Sequence, residues 1–176
     1  MTLPIAPSSS SSSAGRDRAS VTRPQPIDVL VCGSQDRRDD GAAIAVVPQL
    51  RARIPAATRL RVVGQLGIDD LLAVPRGGGV VIVDAASGLR PGQIVELPLD
   101  GLLDRADDLR PRSSHALAFR EVLGVATLLR RLPLPGRIVA IGGARWSLGS
   151  DLSPRVAKAL PDLIASVLAA IEHVRG

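Results

Sequence analysis

The sequence has almost no cysteine and no long apolar run, and these two absences restrict where the protein can work. Cys32 is the only cysteine, so neither an internal disulfide nor a cysteine-based zinc cluster can form. A chain without disulfides fits a reducing compartment, and we expect a cytoplasmic location. No apolar segment approaches the roughly 20 residues that span a bilayer, and the N-terminus has no apolar signal core. We therefore expect neither secretion nor membrane insertion.

Aromatic and lysine side chains are also scarce. Phe119 and Trp146 are the only aromatic residues, and Lys158 is the only lysine, so the basic residues are nearly all arginines. The net charge of +5 is spread along the chain rather than clustered. A nucleic-acid interface typically combines a basic stripe with aromatic side chains that stack on bases. Because neither feature is present, the composition argues against nucleic-acid binding.

The chain is instead rich in small and branched aliphatic side chains. Its hydrophobic share of 45% predicts a core of Ala, Val, Leu and Ile, which suits buried parallel strands and the helices that cover them. Residues 1–26 contain the serine run Ser8–Ser13 and several prolines. Such a segment cannot bury enough apolar surface to offset its ordering entropy, so we predict a disordered Ser/Pro-rich tail. Residues 27–176 are predicted to form a single domain.

Short apolar runs alternate with helical segments along this domain. Strands are predicted at about 27–32, 60–63, 80–83, 94–97 and 137–141. Helices are predicted at about 39–51, 67–73, 113–131 and from Ser153-Pro154 onwards, with a polar loop at 100–112. This alternation is typical of a mostly parallel sheet covered on both faces. The predicted fold class is α/β, a three-layer α/β/α sandwich whose sheet has about five strands.

Two aspartates and one histidine occupy positions where such sheets bind ligands. Asp40 follows the loop after the first strand, Asp84 ends the strand Val80–Val83, and His115 opens the helix after the polar loop. Loops at the carboxyl ends of parallel strands share one edge, so Asp40 and Asp84 should lie near each other, within reach of His115. Two carboxylates and one imidazole suit a borderline divalent ion such as nickel or zinc, with positions left open for a substrate.

Each of these residues also has a simpler structural interpretation. Asp39 and Asp40 could cap a helix, and capping by Asp39 leaves Asp40 free. Asp84 could shape its own loop, and a histidine in a first helical turn is often only solvated. Cys32 lies in an apolar strand and is interpreted as an inert buried thiol, and His173, in a last helical turn, as structural. No serine or cysteine forms a nucleophile elbow, and no dinucleotide-binding fingerprint follows the first strand.

Four motifs follow one another along the domain. They are Gly33-Ser34 with Asp39-Asp40-Gly41, the strand ending at Asp84 with Pro91-Gly92, Ser113-Ser114-His115, and Leu152-Ser153-Pro154. With these motifs in this order, residues 27–174 resemble the hydrogenase maturation proteases. The resemblance implies an α/β endopeptidase that removes a C-terminal extension from a nickel-loaded hydrogenase large-subunit precursor. It also implies that Asp40, Asp84 and His115 are the metal-binding and catalytic residues, and that the nickel is supplied by the substrate.

The chain differs from the family pattern in its loops. Ser34 stands where the family has Asn, Arg37 and Arg38 occupy a loop that is more often apolar or mixed, and residues 144–151 lack the usual acidic character. These differences concern the substrate more than the chemistry. Two other functions fit the sequence: a non-catalytic relative that checks metal loading or escorts a partner as a chaperone does, and, less well, a flavodoxin-like small-molecule binder. The sequence makes no prediction of oligomeric state.

Overall fold

The five apolar runs form the five strands of one sheet. The computed structural model describes residues 25–104 and 114–176, and only the backbone of residues 104 and 114–118. The strands are β1 Ile27–Cys32, β2 Thr58–Gly64, β3 Gly79–Ala86, β4 Ile94–Pro98 and β5 Gly136–Gly142. Their order is β2-β1-β3-β5-β4, and every neighbouring pair is parallel except β4 and β5. The prediction of a mostly parallel, five-stranded sheet is therefore confirmed.

Helices cover both faces of this sheet. They are a 3-10 turn at Arg38–Gly41, α1 Ala42–Ala45, α2 Val47–Arg51, α3 Ile68–Leu72, α4 Leu99–Asp104, α5 Ser114–Arg130 and α6 Pro154–Arg175. Helices α1, α2 and α6 pack on one face, and α3, α4 and α5 contribute to the apolar cluster on the other. This arrangement is the predicted three-layer α/β/α sandwich.

The central strand β1 explains why both faces must be covered. All six of its residues are buried, because successive side chains point to opposite faces and each face carries a helical layer. Val29 and Val31 belong to the cluster beneath α1 and α6, whereas Leu30 belongs to the cluster beneath α3 and α5. The core on both sides is built from aliphatic side chains, as the composition predicts.

Two predicted elements are wrong in part. The helix predicted at 39–51 is divided into the 3-10 turn, α1 and α2, and the division falls just before Pro48. Pro48 has no N–H to donate to the carbonyl of Ile44, and the loss of this helical hydrogen bond favours a break there. The polar loop predicted at 100–112 begins instead as the helix α4, because Leu99 and Leu102 are buried against the sheet. Residues 105–112 of that loop lie outside the described residues.

The boundary of the predicted tail falls close to the first described residues. Residues 1–24 lie outside the described part of the chain. The carbonyl of Pro26 accepts a hydrogen bond from the N–H of Gly79 at 3.0 Å, so the ordered domain includes Pro26. Within residues 25–104 and 114–176, no helix combines the length and the apolar character that crossing a membrane requires.

Candidate functional site

The chain turns back on itself directly after β1. Gly33 has φ +111, which L side chains rarely adopt, and a Cβ atom at this position would collide with the carbonyl oxygen of Asp40. A Cβ on Gly41 would lie 3.2 Å from the carbonyl oxygen of Ser34, so this side of the loop is also tightly packed. The two glycines allow the 3-10 turn to lie against the end of β1. Asp40 is thereby held at the carboxyl edge of the sheet.

Asp39, the neighbour of Asp40, connects this loop to the segment that follows β5. Its side chain is completely buried, and its carboxylate accepts N–H bonds from Ala144 at 2.8 Å, Arg145 at 2.9 Å and Ser153 at 2.6 Å. Burial alone would favour the neutral acid, but these backbone donors lower the pKa of Asp39 below its ordinary value. The sequence suggested that Asp39 caps its own helix, and this is wrong. The carboxylate instead lies at the start of α6, where the helix dipole favours a negative charge.

Asp84 ends the buried part of β3 and interacts with Asp40. Its Oδ1 accepts the N–H of Ala85 at 2.8 Å. Burial is the main cause that raises the pKa of Asp84 to about 7; the Ala85 N–H opposes this shift and the negative charge of Asp40 adds to it. Asp40 lies against Gly33 at the end of β1, and Asp84 lies near the end of the neighbouring strand β3, so both residues are at the carboxyl edge of the sheet. Two like charges at a partly buried site are unfavourable and are well suited to a positive ligand.

The first turn of α5, which contains His115, begins near the same edge. At the other end of this helix, Arg130 donates to the carbonyl oxygens of Leu71 and Val74, close to the start of β3. The helix has 17 residues, about 25 Å at 1.5 Å per residue, which matches the length of a strand such as β3. Its N-terminus therefore points to the carboxyl edge, on the sheet face that Asp84 shares with Ile82. The side chain of His115 lies outside the described side chains, so its part in the site stays a prediction.

A second loop lies against the first and extends the wall of the site. Arg37 and Gly149 form an isolated parallel bridge, the Arg38 N–H donates to the Gly149 carbonyl at 2.6 Å, and the Gly149 N–H donates to the Asp36 carbonyl at 2.9 Å. The Nε of Arg38 also lies 3.2 Å from the Oγ of Ser147. The arginine loop and the segment 144–149, both of which depart from the family pattern, thus form one continuous surface.

Solved structures with this architecture identify the fold. No family model matches the chain, and no curated protein matches it. The chain superposes on the hydrogenase maturating endopeptidase HybD from E. coli with a TM-score of 0.71 and 21% identity, covering 85% of this chain and 93% of that one. It superposes on the [NiFe] hydrogenase maturation protease HybD from Thermococcus kodakarensis with a TM-score of 0.66 and 19% identity, covering 86% of this chain and 100% of that one. A third match is the [NiFe] hydrogenase maturation protease HycI from the same organism, with a TM-score of 0.62, 15% identity, and 86% and 95% coverage.

The chain has the hydrogenase maturation protease fold. The first loop, with Asp40, and the end of β3, with Asp84, lie at the carboxyl edge of the sheet, and the direction of α5 points its first turn, with His115, toward the same edge. The described side chains include those of Asp40 and Asp84 but not that of His115. Among the described side chains, no group of three potential metal ligands is found. Asp40 and Asp84 lie at the same edge of the sheet, His115 is placed only by its helix, and the assignment of these three residues to one site stays a prediction.

Two further side chains singled out from the sequence, Cys32 and His173, have structural roles. Cys32 is 3% exposed, and burial, with a smaller effect of the nearby Asp84 charge, raises the pKa of its thiol well above the ordinary range. It is therefore an uncharged packing group, as interpreted from the sequence. His173 lies in the last turn of α6 with its Nδ1 3.2 Å from an Oε1 of Glu96, which agrees with its structural interpretation.

Sequence reasoning missed the role of Asp39 in building this edge. Its three partners follow it by 105, 106 and 114 residues, so no local pattern indicates the contact. The one available signal was the adjacent acid pair itself, which shows that two carboxylates occur at this turn. It does not show which of them is buried.

Proposed function

We propose that this chain is an endopeptidase that removes a C-terminal extension from a nickel-loaded hydrogenase large-subunit precursor. The observation that carries the proposal is that two carboxylates, Asp40 and Asp84, lie at the carboxyl edge of a sheet with the maturation protease fold. The fold neighbours are themselves maturation proteases by name. We place the reaction in the cytoplasm, because a chain with one buried cysteine needs no oxidising compartment.

In this proposal the site recognises the metal of its substrate. Asp40 and Asp84 supply two carboxylate oxygens, and His115 supplies one imidazole nitrogen, a donor set suited to nickel with positions left for substrate ligands. Docking of the substrate nickel on these residues brings the nearby scissile peptide into the crevice, and proximity supplies much of the rate. A water molecule would then attack the carbonyl carbon, the scissile C–N bond would break, and a nearby carboxylate would pass a proton of the water to the leaving amine, while the substrate's metal could polarise the carbonyl. A covalent intermediate is not required.

Residues around the ligands would position them. Gly33 allows the first loop to turn so that Asp40 lies against the end of β1, and Asp39 ties that loop to the segment 144–153. Since Asp39 has all its neighbours inside the protein, its charge is not available to a ligand, whereas Asp40 is only partly buried. The two adjacent aspartates therefore have different roles in this proposal: Asp39 fixes the conformation of the loop, and Asp40 contacts the metal of the substrate.

The direct test is incubation of the purified chain with a nickel-loaded precursor, followed by intact-mass measurement of the precursor. We expect a mass loss equal to the C-terminal extension. Asp40→Asn, Asp84→Asn and His115→Ala should each reduce the cleavage rate by at least about 100-fold, because each removes one contact to the docked metal. Circular dichroism and thermal unfolding of each variant would confirm that the fold is retained.

Matched controls separate this site from its surroundings. Asp36→Asn changes an exposed carboxylate in the same loop and should cleave at the wild-type rate, as should Cys32→Ala. A precursor without nickel should remain uncut. Equal cleavage of nickel-free and nickel-loaded precursors would disprove the docking mechanism. Tight binding of the loaded precursor without any cleavage would favour the non-catalytic, metal-checking alternative.

A further inference from the structure

Three arginines flank the loop that carries Asp40. Arg37 and Arg145 are exposed, and Arg38 is partly buried. The carbonyl oxygen of Arg37 accepts the N–H of Asp40 at 3.1 Å, and the carbonyl oxygen of Arg145 accepts the N–H of Asp39 at 3.1 Å. Two of the arginines are thus one backbone hydrogen bond away from the adjacent acids. We call Arg37, Arg38 and Arg145 the arginine face.

Within the described residues, the guanidinium groups of the arginine face have no carboxylate partner. The ion pairs of arginine found there belong to Arg59, Arg61, Arg137 and Arg175. The two adjoining segments also contain the exposed acids Asp36 and Asp151, and neither is paired with the arginine face. An unpaired guanidinium offers N–H donors in a fork that matches a carboxylate. The face is therefore open to acidic groups of another molecule.

One arginine of the face is held in a fixed position. Arg38 has φ +50, which non-glycine residues rarely adopt. Its N–H donates to the Gly149 carbonyl at 2.6 Å, and its Nε lies 3.2 Å from the Oγ of Ser147. The guanidinium is so close to Gly149 that a Cβ atom on this glycine would lie 3.0 Å from its Cζ. A side chain ordered in this way loses less conformational freedom when a ligand binds.

An exposed apolar side chain lies in the same segment as Arg145. Leu148 is 75% exposed, whereas Trp146 is half-buried with its ring against Gly143. A surface that combines arginines with an exposed leucine suits a polypeptide that carries acidic and aliphatic side chains. A nucleic-acid backbone would use only the positive charges of this surface.

The carboxyl edge of the sheet therefore carries charges of both signs. Asp40 and Asp84 are suited to a cation, and the arginine face beside them is suited to anions. A substrate complementary to this edge carries a metal ion and, close to it, a segment of negative charge. We propose that the arginine face binds an acidic segment of the protein substrate while Asp40 and Asp84 contact its metal. This inference rests on the proposed function and adds a surface that selects among substrates, since a basic segment would be repelled.

Fluorescence anisotropy of a rhodamine-labelled peptide tests this surface without any cleavage. The probe is a twelve-residue peptide that repeats Glu-Leu-Glu-Gly three times, and its neutral counterpart has Gln in place of Glu. The full chain should bind the acidic peptide with a Kd on the order of 10–100 µM at about 50 mM salt, at least about tenfold tighter than the neutral peptide. The affinity should fall as salt is added, because the arginines are exposed.

Charge reversal locates the binding surface. Arg37→Glu combined with Arg145→Glu should weaken binding of the acidic peptide at least about tenfold, because two attractive groups become repulsive. Arg53→Glu combined with Arg76→Glu is the matched control with the same change in net charge. Arg53 and Arg76 are exposed and precede β2 and β3, at the opposite edge of the sheet, so this variant should bind within about twofold of wild type. Thermal unfolding would confirm that both variants are folded.

The acidic peptide should also compete with the nickel-loaded precursor. It should raise the KM of cleavage without changing kcat, and only in chains that keep Arg37 and Arg145. Absence of peptide binding, equal binding by the two charge variants, or cleavage that the bound peptide does not inhibit would each overturn the inference and leave the proposed function intact.

Two further outcomes separate the surface from other partners and from the proposed function. Equal or tighter binding of an oligothymidine of the same length, with the same loss on charge reversal, would assign the arginine face to nucleic acid and overturn the inference. If the wild-type chain fails to cut the precursor, the proposed function is wrong, whereas peptide binding that is lost on charge reversal still supports an acidic polypeptide partner.

Discussion

Two adjacent aspartates of the same loop have different environments and hence different roles. Asp39 is completely buried and accepts three backbone N–H bonds, so its negative charge is stabilised by groups inside the protein. Asp40 is only partly buried and acts electrostatically on Asp84. One residue of separation therefore changes a carboxylate from a structural anchor into a group available for a ligand.

Replacing Asp39 should lower the stability of the protein more than replacing any other carboxylate-bearing residue of this loop. Asp39→Ala leaves three backbone donors without an acceptor, and we expect a loss of about 3–5 kcal/mol in the free energy of unfolding, measured by urea denaturation. Asp36→Ala, an exposed carboxylate nearby, should cost less than about 0.5 kcal/mol. Since the folded pKa of Asp39 is lowered, its stabilisation is present above the unfolded pKa of about 4 and is lost as the pH falls through the folded value. Equal stability of the two variants at pH 7 would contradict this role.

Asp84 has the opposite effect on stability. Its folded pKa of about 7 lies above the ordinary 3.8, so the folded state is most favoured below about pH 4 and loses stability as the pH rises through 7. Asp84→Asn keeps an oxygen for the Ala85 N–H but cannot ionise. It should therefore raise the free energy of unfolding at pH 8 by on the order of 2–4 kcal/mol relative to wild type, and much less at pH 5. An equal gain in the free energy of unfolding at both pH values would show that ionisation of Asp84 is not the cause.

Among the elements, the loop between β1 and α1 depends on one backbone position. Gly33→Ala should cost at least about 3 kcal/mol of stability, because it combines an unfavourable φ with a collision against the Asp40 carbonyl. Gly77→Ala is the matched control: Gly77 also has a positive φ of +74 but has open space around its Cβ, so only about 1–2 kcal/mol should be lost. Thermal unfolding measures both, and similar losses would mean that close approach to Asp40 is unimportant.

The sequence predicted helices and strands correctly where a local pattern sets the secondary structure. It failed where a contact with a distant part of the chain sets it. The strand Val80–Val83 and the Ser153-Pro154 start of α6 are strong local signals, and both are confirmed. Helix α4 was missed because its segment is polar except for Leu99 and the pair Leu102-Leu103, and only the sheet beneath them makes a helix favourable. The division before Pro48 was not predicted, because the acids at the start and Arg51 at the end of this segment suit the dipole of one continuous helix.

For the molecule as a whole, the sequence could predict the layers but not all of the site. The rule that parallel strands share a carboxyl edge predicts from the sequence alone that Asp40 and Asp84 lie at the same edge of the sheet. The same rule says nothing about the contact between Asp39 and residues 144–153, since that depends on how β5 lies beside β3 and on the path of the following loop. The strand order was likewise not predicted, because alternation fixes the number of strands and not their neighbours.

Truncation at the N-terminus should distinguish the tail from the domain. Deleting residues 1–24 should change the midpoint of thermal unfolding by less than about 1 °C, since the predicted disordered tail contributes no packing. Deleting residues 1–26 also removes the Pro26 carbonyl that accepts the Gly79 N–H, and should lower the midpoint by about 2–4 °C. Differential scanning calorimetry measures both. A large decrease for the shorter deletion would show that residues 1–24 pack on the domain.

The bond between Asp39 and the Ala144 N–H has a consequence for the order of events during protein synthesis. The ribosome adds 105 residues between these two partners, which takes about 5–20 s at roughly 5–20 residues per second. Until then β1 can pair with β2 and β3, but the loop that carries Asp40 has no anchor. A nascent or prematurely terminated chain therefore exposes both carboxylates without the arrangement that the complete domain gives them. Translation must reach Ser153 before this edge of the molecule acquires its final shape.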